Sequence, residues 1–141
     1  MLDINILKEY TEIDEHNLED CILQVPGKVM TIGLEIAEAE TICDKKQFEY
    51  KSIRGIKGID FREKYLDYGF VEKNEGLVDD WISTQKEVKL KYKEYLEAKE
   101  YLNKLKAIQN SMIDVRKGLE NIGTLMKSGL YVPPEARKSV K

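Results

Sequence analysis

Apolar residues recur along the last third of the chain in the pattern of a helix that packs against another helix. Their spacing alternates between three and four residues, which is the a/d pattern of a coiled coil. The residues of this C-terminal seam are Leu105, Ile108, Met112, Val115, Leu119, Ile122 and Met126. No proline occurs between Trp81 and Ser128, and no glycine in that stretch precedes Gly118. We therefore predict one long helix over about 81–128.

An earlier stretch of the chain has the same spacing of apolar residues. Its members are Val29, Ile32, Ile36, Ala39, Cys43, Tyr50 and Ile53, with Lys46 at the one polar position of the pattern. Proline suits the first turn of a helix, so Pro26 predicts a helix over about 26–54. Lys46 either fixes the register or the oligomer state of the packed helices, or buries only its stem while its ammonium reaches water.

These two patterns predict an all-α fold. The expected architecture is a long helical hairpin with coiled-coil-like seams, preceded by a short helix and organised as an oligomeric assembly. Asp14 is placed to cap the short helix, which we expect to end at about Cys21. A hairpin is expected because each apolar stripe has to be buried against another helix.

The predicted organisation has three parts. An acidic N-terminal arm covers residues 1–24, and a hairpin core covers 25–128, in which a basic linker over 55–80 joins the two helices. Residues 129–141, with two adjacent prolines and no periodicity, are expected to form a flexible tail.

The predicted helices differ in length by about a factor of two. A hairpin would then leave part of the C-terminal seam uncovered, and exposing such side chains costs about 1.5–3 kcal/mol each. We therefore expect other copies of the chain to cover the seam, so that the protein is a homo-oligomer.

Charge is distributed unevenly along the chain. Residues 1–44 contain eleven acids and two bases, for a net charge of −9, whereas residues 45–64 contain seven bases and three acids, for a net charge of +4. The remaining residues, 65–141, contain fourteen bases and twelve acids, for a net charge of +2. Such segregation indicates an acidic face for protein partners and a basic patch for an anion, or else ordinary solvated helix faces.

The basic run at 45–64 is the best candidate for a binding site. Its bases are Lys45, Lys46, Lys51, Arg54, Lys57, Arg62 and Lys64, and aromatic residues lie among and just after them. Lysine and arginine neutralise phosphates without regard to base sequence, and aromatic rings stack on unpaired bases. The run therefore indicates a surface for single-stranded nucleic acid.

Other kinds of function find little support in the sequence. The chain has no phosphate-binding loop, no hydrolase or metalloprotease motif and no CxxC pair, so we expect no enzymatic activity and no cofactor. His16 is the only histidine and has no cysteine or histidine at metal-ligand spacing, so no metal site is expected. Without a signal peptide or a membrane span, a cytoplasmic location with reduced Cys21 and Cys43 is expected.

The order of several motifs resembles that of a known family. An I-D-E-x-N-L motif at Ile13–Leu18 precedes Pro26 and a charged helix that ends in a Lys/Arg-rich, Tyr-containing run before a glycine. A polar linker follows, and then a long helix that opens with Val88–Leu90 and finishes in the L-x-x-I of Leu119–Ile122. Over about residues 12–128 this layout resembles the UvsY-type recombination mediators of tailed phages.

The resemblance implies a function in DNA recombination, repair and replication. Members of that family are all-α, assemble into rings and bind single-stranded DNA without sequence preference. They help to load a RecA-like recombinase onto strands already covered by a single-strand-binding protein. Their DNA contact includes a Lys and an Arg after the first long helix, which correspond here to Lys51 and Arg54, or alternatively to Arg62 and Lys64.

A second function from another class fits the same sequence. A helical coiled-coil adaptor, acting as an assembly factor or an inhibitor only through protein–protein contacts, would need the seams but not the basic run. Binding of a single-stranded oligonucleotide distinguishes the two hypotheses.

Overall fold

The computed structural model describes residues 2–129, and these form helices without any strand. The α-helices are α1 (Ile4–Lys8), α2 (Leu18–Lys64), α3 (Glu75–Thr84) and α4 (Lys86–Lys127), and two 3-10 turns, Glu9–Thr11 and Glu15–Asn17, lie between α1 and α2. The all-α prediction is confirmed. The predicted tail, apart from Gly129, lies outside the described residues.

The chain divides into two compact units, and both α2 and α4 contribute to each. Of the described residues, unit 1 comprises 2–37 and 103–129, and unit 2 comprises Glu38–Leu102. In unit 1, Leu18 and Val25 of α2 form a buried cluster with Leu119 of α4. In unit 2, ion pairs join the second half of α2 to the first half of α4.

Helix α2 begins at Leu18, so the predicted start at Pro26 is wrong. The side chain of Asp14 accepts a hydrogen bond from the backbone N–H of His16 at 2.9 Å, and the capped 3-10 turn leads directly into α2 instead of forming a separate helix. An internal proline removes a helical hydrogen bond. The burial of Leu18 and Val25 against Leu119 offsets that loss.

Helix α2 also continues beyond the predicted end near residue 54, through Gly55 and Gly58 to Lys64. The side chain of Phe61 is fully buried among Val78, Ile82 and Val88, which fixes this part of the helix in place. Gly58 serves the same packing. A Cβ atom there would lie 3.2 Å from an Nη atom of Arg62 and 3.4 Å from the Cδ1 of Ile82, so the glycine leaves room for the Arg62 guanidinium beside α3.

The predicted linker at 55–80 and the predicted helix at 81–128 are divided differently in the structure. Only residues 65–74 connect α2 to α3, whose first turn is capped by a 2.9 Å hydrogen bond from the backbone N–H of Leu77 to the Asn74 side chain. Gln85 adopts an extended conformation and separates α3 from α4. The break lets Val78 and Ile82 of α3 pack on Phe61 together with Val88 of α4.

The C-terminal seam lies largely in the core of unit 1. Four of its members are buried: Leu105, Ile108, Met112 and Leu119. Two are partly buried, Val115 and Ile122, and Met126 is exposed. Because α2 has 47 residues and α4 has 42, the expected difference in length does not occur. Self-association therefore stays a prediction, but unequal helix lengths no longer support it.

The core of unit 2 gives a stability prediction with a matched control. Replacing Phe61, which has no exposed surface, by alanine should lower the free energy of unfolding by about 3–5 kcal/mol. The same substitution at Phe48, whose side chain is 71% exposed, should change it by no more than about 0.5 kcal/mol. Urea denaturation of both variants at low protein concentration measures the difference, and equal effects would contradict the assigned core.

Candidate nucleic-acid interface

The seven predicted bases all lie on the second half of α2, but the helix distributes them over different sides. Lys51, Arg54 and Arg62 occupy positions i, i+3 and i+11, which lie on one side of a helix with 3.6 residues per turn. Gly55 and Gly58 lie between them on the same side. We call Lys51, Arg54 and Arg62 the basic track, because the structure brings these three side chains to one flank of α2.

The other four bases lie elsewhere on the helix. Lys46 and Lys57 face α4, where their Nζ atoms lie 3.4 Å from a carboxylate oxygen of Glu94 and 3.5 Å from one of Glu87. Lys64 pairs within its own helix, 3.3 Å from Asp60. Lys45 is exposed on the side of α2 away from the core.

Two members of the basic track are held by acids of α3. Arg62 lies 3.0 Å from a carboxylate oxygen of Glu75, and Arg54 lies 3.5 Å from one of Asp79. The guanidinium of Arg54 also lies over the ring of Tyr50, 5.8 Å from its centre. Lys51 is exposed and has no ion pair with a described residue.

The acids that pair with the basic run were not predicted from the sequence. Glu75 and Asp79 are four residues apart and therefore share one face of α3, but the region was assigned to a linker. The sequence did contain a signal for this helix. The acids Glu75 and Asp79 are four residues apart, and so are the apolar residues Val78 and Ile82. Two such pairs are typical of a short amphipathic helix. Asp79 lies in the middle of α3.

A four-residue ionic cluster fixes the register of α2 against α4 in unit 2. Lys46 and Lys91 each lie within 3.7 Å of both Glu49 and Glu94. Desolvation alone would raise the pKa of Glu49, but the positive charges of Lys46 and Lys91 outweigh it and keep this pKa below its ordinary value. Of the two roles predicted for Lys46, the cross-helix pairing supports the first, a lysine that specifies register.

A second polar cluster lies at the end of α2. The hydroxyl of Tyr68 donates a hydrogen bond to one carboxylate oxygen of Asp60, and the other carboxylate oxygen lies 3.3 Å from the Nζ of Lys64. The hydrogen bond from Tyr68 is the largest cause that lowers the pKa of Asp60 below its ordinary value, and it raises the pKa of Tyr68. The ring of Tyr68 stacks on Trp81 of α3, with ring centres 4.9 Å apart, so the cluster ties the connection to both helices.

The Tyr68–Asp60 hydrogen bond gives a pH prediction. A carboxyl group with a lowered pKa stabilises the fold at neutral pH, and the contribution is lost as the pH falls through that pKa. In the Tyr68→Phe variant the pKa of Asp60 should move up towards its ordinary value, so that this contribution to stability becomes smaller and its loss is complete at a higher pH. Carboxyl-carbon NMR titration of Asp60 measures the shift. An unchanged titration curve would contradict the assigned role of the hydroxyl, and Tyr10→Phe is the control.

Comparison with models of protein families, with characterised proteins and with solved structures gives no match for this chain. Within residues 2–129, no cluster of three or more His, Cys, Asp or Glu side chains is arranged to hold a metal ion. In the same part of the chain, no helix is both long enough and apolar enough to cross a membrane.

Proposed function

We propose that the protein is a non-enzymatic recombination mediator that binds single-stranded DNA through the basic track and helps to load a RecA-like recombinase onto strands covered by a single-strand-binding protein. The observation that carries this proposal is the position of Lys51, Arg54 and Arg62 on one flank of α2. A row of cations on a rigid helix can follow a phosphate backbone, and it offers no readout of base sequence.

The glycine next to Arg54 supports this use. Gly55 is exposed and has no side chain, so phosphates can approach the helix surface beside Arg54. A Cβ atom at Gly58 would lie 3.2 Å from an Nη atom of Arg62, so a larger residue there would push that guanidinium aside.

The ion pairs of the track with α3 do not prevent binding. Exposed ion pairs contribute only about 0–1 kcal/mol each, and Glu75 and Asp79 are both exposed. Binding of a phosphate backbone is more favourable than these ion pairs, because each neutralised phosphate also releases a condensed counterion. DNA is therefore expected to replace the two carboxylates at Arg54 and Arg62.

Removal of the basic track should weaken DNA binding. For the variant Lys51→Ala, Arg54→Ala, Arg62→Ala we expect a lower affinity for a labelled single-stranded oligonucleotide, and a salt slope reduced by about 0.7 for each phosphate that the variant no longer neutralises. Fluorescence anisotropy at several salt concentrations measures both. The control variant Lys89→Ala, Lys117→Ala, Lys127→Ala also removes three positive charges, from exposed positions outside the track. If its binding fell as far as that of the first variant, the track would not be the site.

Neutralising the competing acids should strengthen binding. In Glu75→Gln, Asp79→Asn the arginines no longer have carboxylate partners, so binding at a given salt concentration should be tighter than in the wild type. The control Glu72→Gln, Asp80→Asn changes the net charge equally, but neither acid forms an ion pair with the track. Equal effects of the two variants would indicate a general charge effect instead of competition at Arg54 and Arg62.

The adaptor function is the second candidate, and one observation favours it. Five of the seven predicted bases are engaged by acids of the same chain: Lys46, Arg54, Lys57, Arg62 and Lys64. If the wild-type protein does not bind single-stranded oligonucleotide at low salt, the mediator proposal fails and the adaptor function replaces it.

A further inference from the structure

Phe48 differs from the other aromatic residues of the basic run in the exposure of its ring. Its side chain is 71% exposed, and it has no contact with another aromatic ring among residues 2–129. Phe61, in contrast, is fully buried and lies beside the rings of Tyr65 and Tyr68. The ring of Tyr50 packs against two tyrosines of α4. Phe48 is therefore the aromatic residue of this run whose ring is open to solvent.

The exposure of Phe48 follows from its position on α2. With 3.6 residues per turn, Phe48 lies about half a turn away from Tyr50 and Ile53, which pack against the buried cluster of unit 2. The helix is regular at this point, so it holds the ring in a fixed outward position. A single exposed apolar side chain is common on protein surfaces and does not by itself indicate a binding site. The charges around Phe48 are what distinguish it.

Two lysines flank Phe48 on the same side of the helix. Lys45 precedes it by three residues and Lys51 follows it by three, and residues three apart on a helix have Cβ atoms about 5–6 Å from each other. Both lysines are exposed, and they are the two bases of the run that form no ion pair with an acid of the described residues. Gly55, two turns beyond Phe48, is exposed as well and leaves the helix surface open. All these residues belong to unit 2.

We propose that Phe48 stacks on a base of the bound strand while Lys45 and Lys51 neutralise the phosphates on either side of that base. This inference rests on the proposed function and identifies the class of strand that the same site takes, which is unpaired nucleic acid. Lys51 belongs both to this group and to the basic track, so a strand that follows the track passes the ring of Phe48.

The ring supplies a discrimination that the cations cannot supply. Lysine and arginine neutralise the phosphates of single strands and duplexes alike. An aromatic ring stacks on any unpaired base, because every base has a π-face. In a duplex the faces of the bases are covered by their neighbours, and exposing one of them requires unstacking. The protein is therefore expected to prefer a single strand to a duplex of the same sequence, and Phe48 is expected to cause part of this preference.

Removal of the ring and removal of the bases test the proposal together. In Phe48→Ala, binding of a single-stranded oligothymidine should weaken by about 5- to 150-fold, the range for the loss of one base–aromatic stack. Binding of an abasic strand of the same length, which has the phosphates but no bases, should not change. Phe48→Trp should retain the affinity for oligothymidine, whereas Phe48→Leu, an apolar side chain without a ring, should lose it. The control is Leu90→Ala, since Leu90 is 55% exposed on α4.

The salt dependence of binding provides an independent measurement. A base stack releases no counterion, so Phe48→Ala should lower the affinity by the same factor at each salt concentration and leave the salt slope unchanged. Lys45→Ala should instead reduce the slope by about 0.7, because it removes one phosphate contact. Circular dichroism of both variants checks that the helices are retained.

The outcomes separate this proposal from the proposed function. If the wild type does not bind oligothymidine, the proposed function fails and the stacking role fails with it. If the wild type binds and Phe48→Ala weakens the oligothymidine and the abasic strand equally, or weakens neither, only the stacking role is overturned. It is also overturned if Phe48→Leu binds as tightly as the wild type, or if the wild type binds the duplex as tightly as the single strand.

Discussion

The continuity of α2 depends on the burial of Phe61. Two glycines precede this residue by six and three positions, and a helix with such a weak segment can end there when nothing beyond it is fixed. Phe61 is held among Val78, Ile82 and Val88, and its ring lies 5.1 Å from those of Phe70 and Trp81. This contact keeps the residues from Gly55 to Lys64 helical, and so it also sets the angular positions of the bases around the helix.

Those angular positions determine what the basic run can do. A run of seven cations in the sequence is distributed over different sides of the helix, and only Lys51, Arg54 and Arg62 form the basic track. The cations that face α4 serve the fold, because Lys46 and Lys57 form ion pairs that align α2 with α4. The proposed DNA-binding surface is therefore smaller than the composition suggests, and the acids of α3 occupy part of it in the free protein.

The sequence was sufficient for the helical class and for most of the buried positions. The three-four spacing identified Ile32, Ile36, Cys43, Leu105 and Met112 correctly, because periodic burial is a local property of a helix. The ends of the helices were not predictable in the same way. Pro26 and Gly55 favour local breaks, and the contacts that override them, with Leu119 and Phe61, join residues distant in the chain. The ion pairs of Arg54 and Arg62 were missed for the same reason, since they require α3 to be placed beside α2.

The position of the only tryptophan has an optical consequence. Trp81 lies on α3, where its indole packs against Phe61 and Tyr68, and the single residue Gln85 separates this helix from α4. If phosphate displaces Asp79 and Glu75 from the arginines, the charges around α3 change while Val78 and Ile82 stay packed on Phe61. The emission of an indole responds to the field of nearby charges, so the chain would carry its own fluorescent reporter of an occupied track.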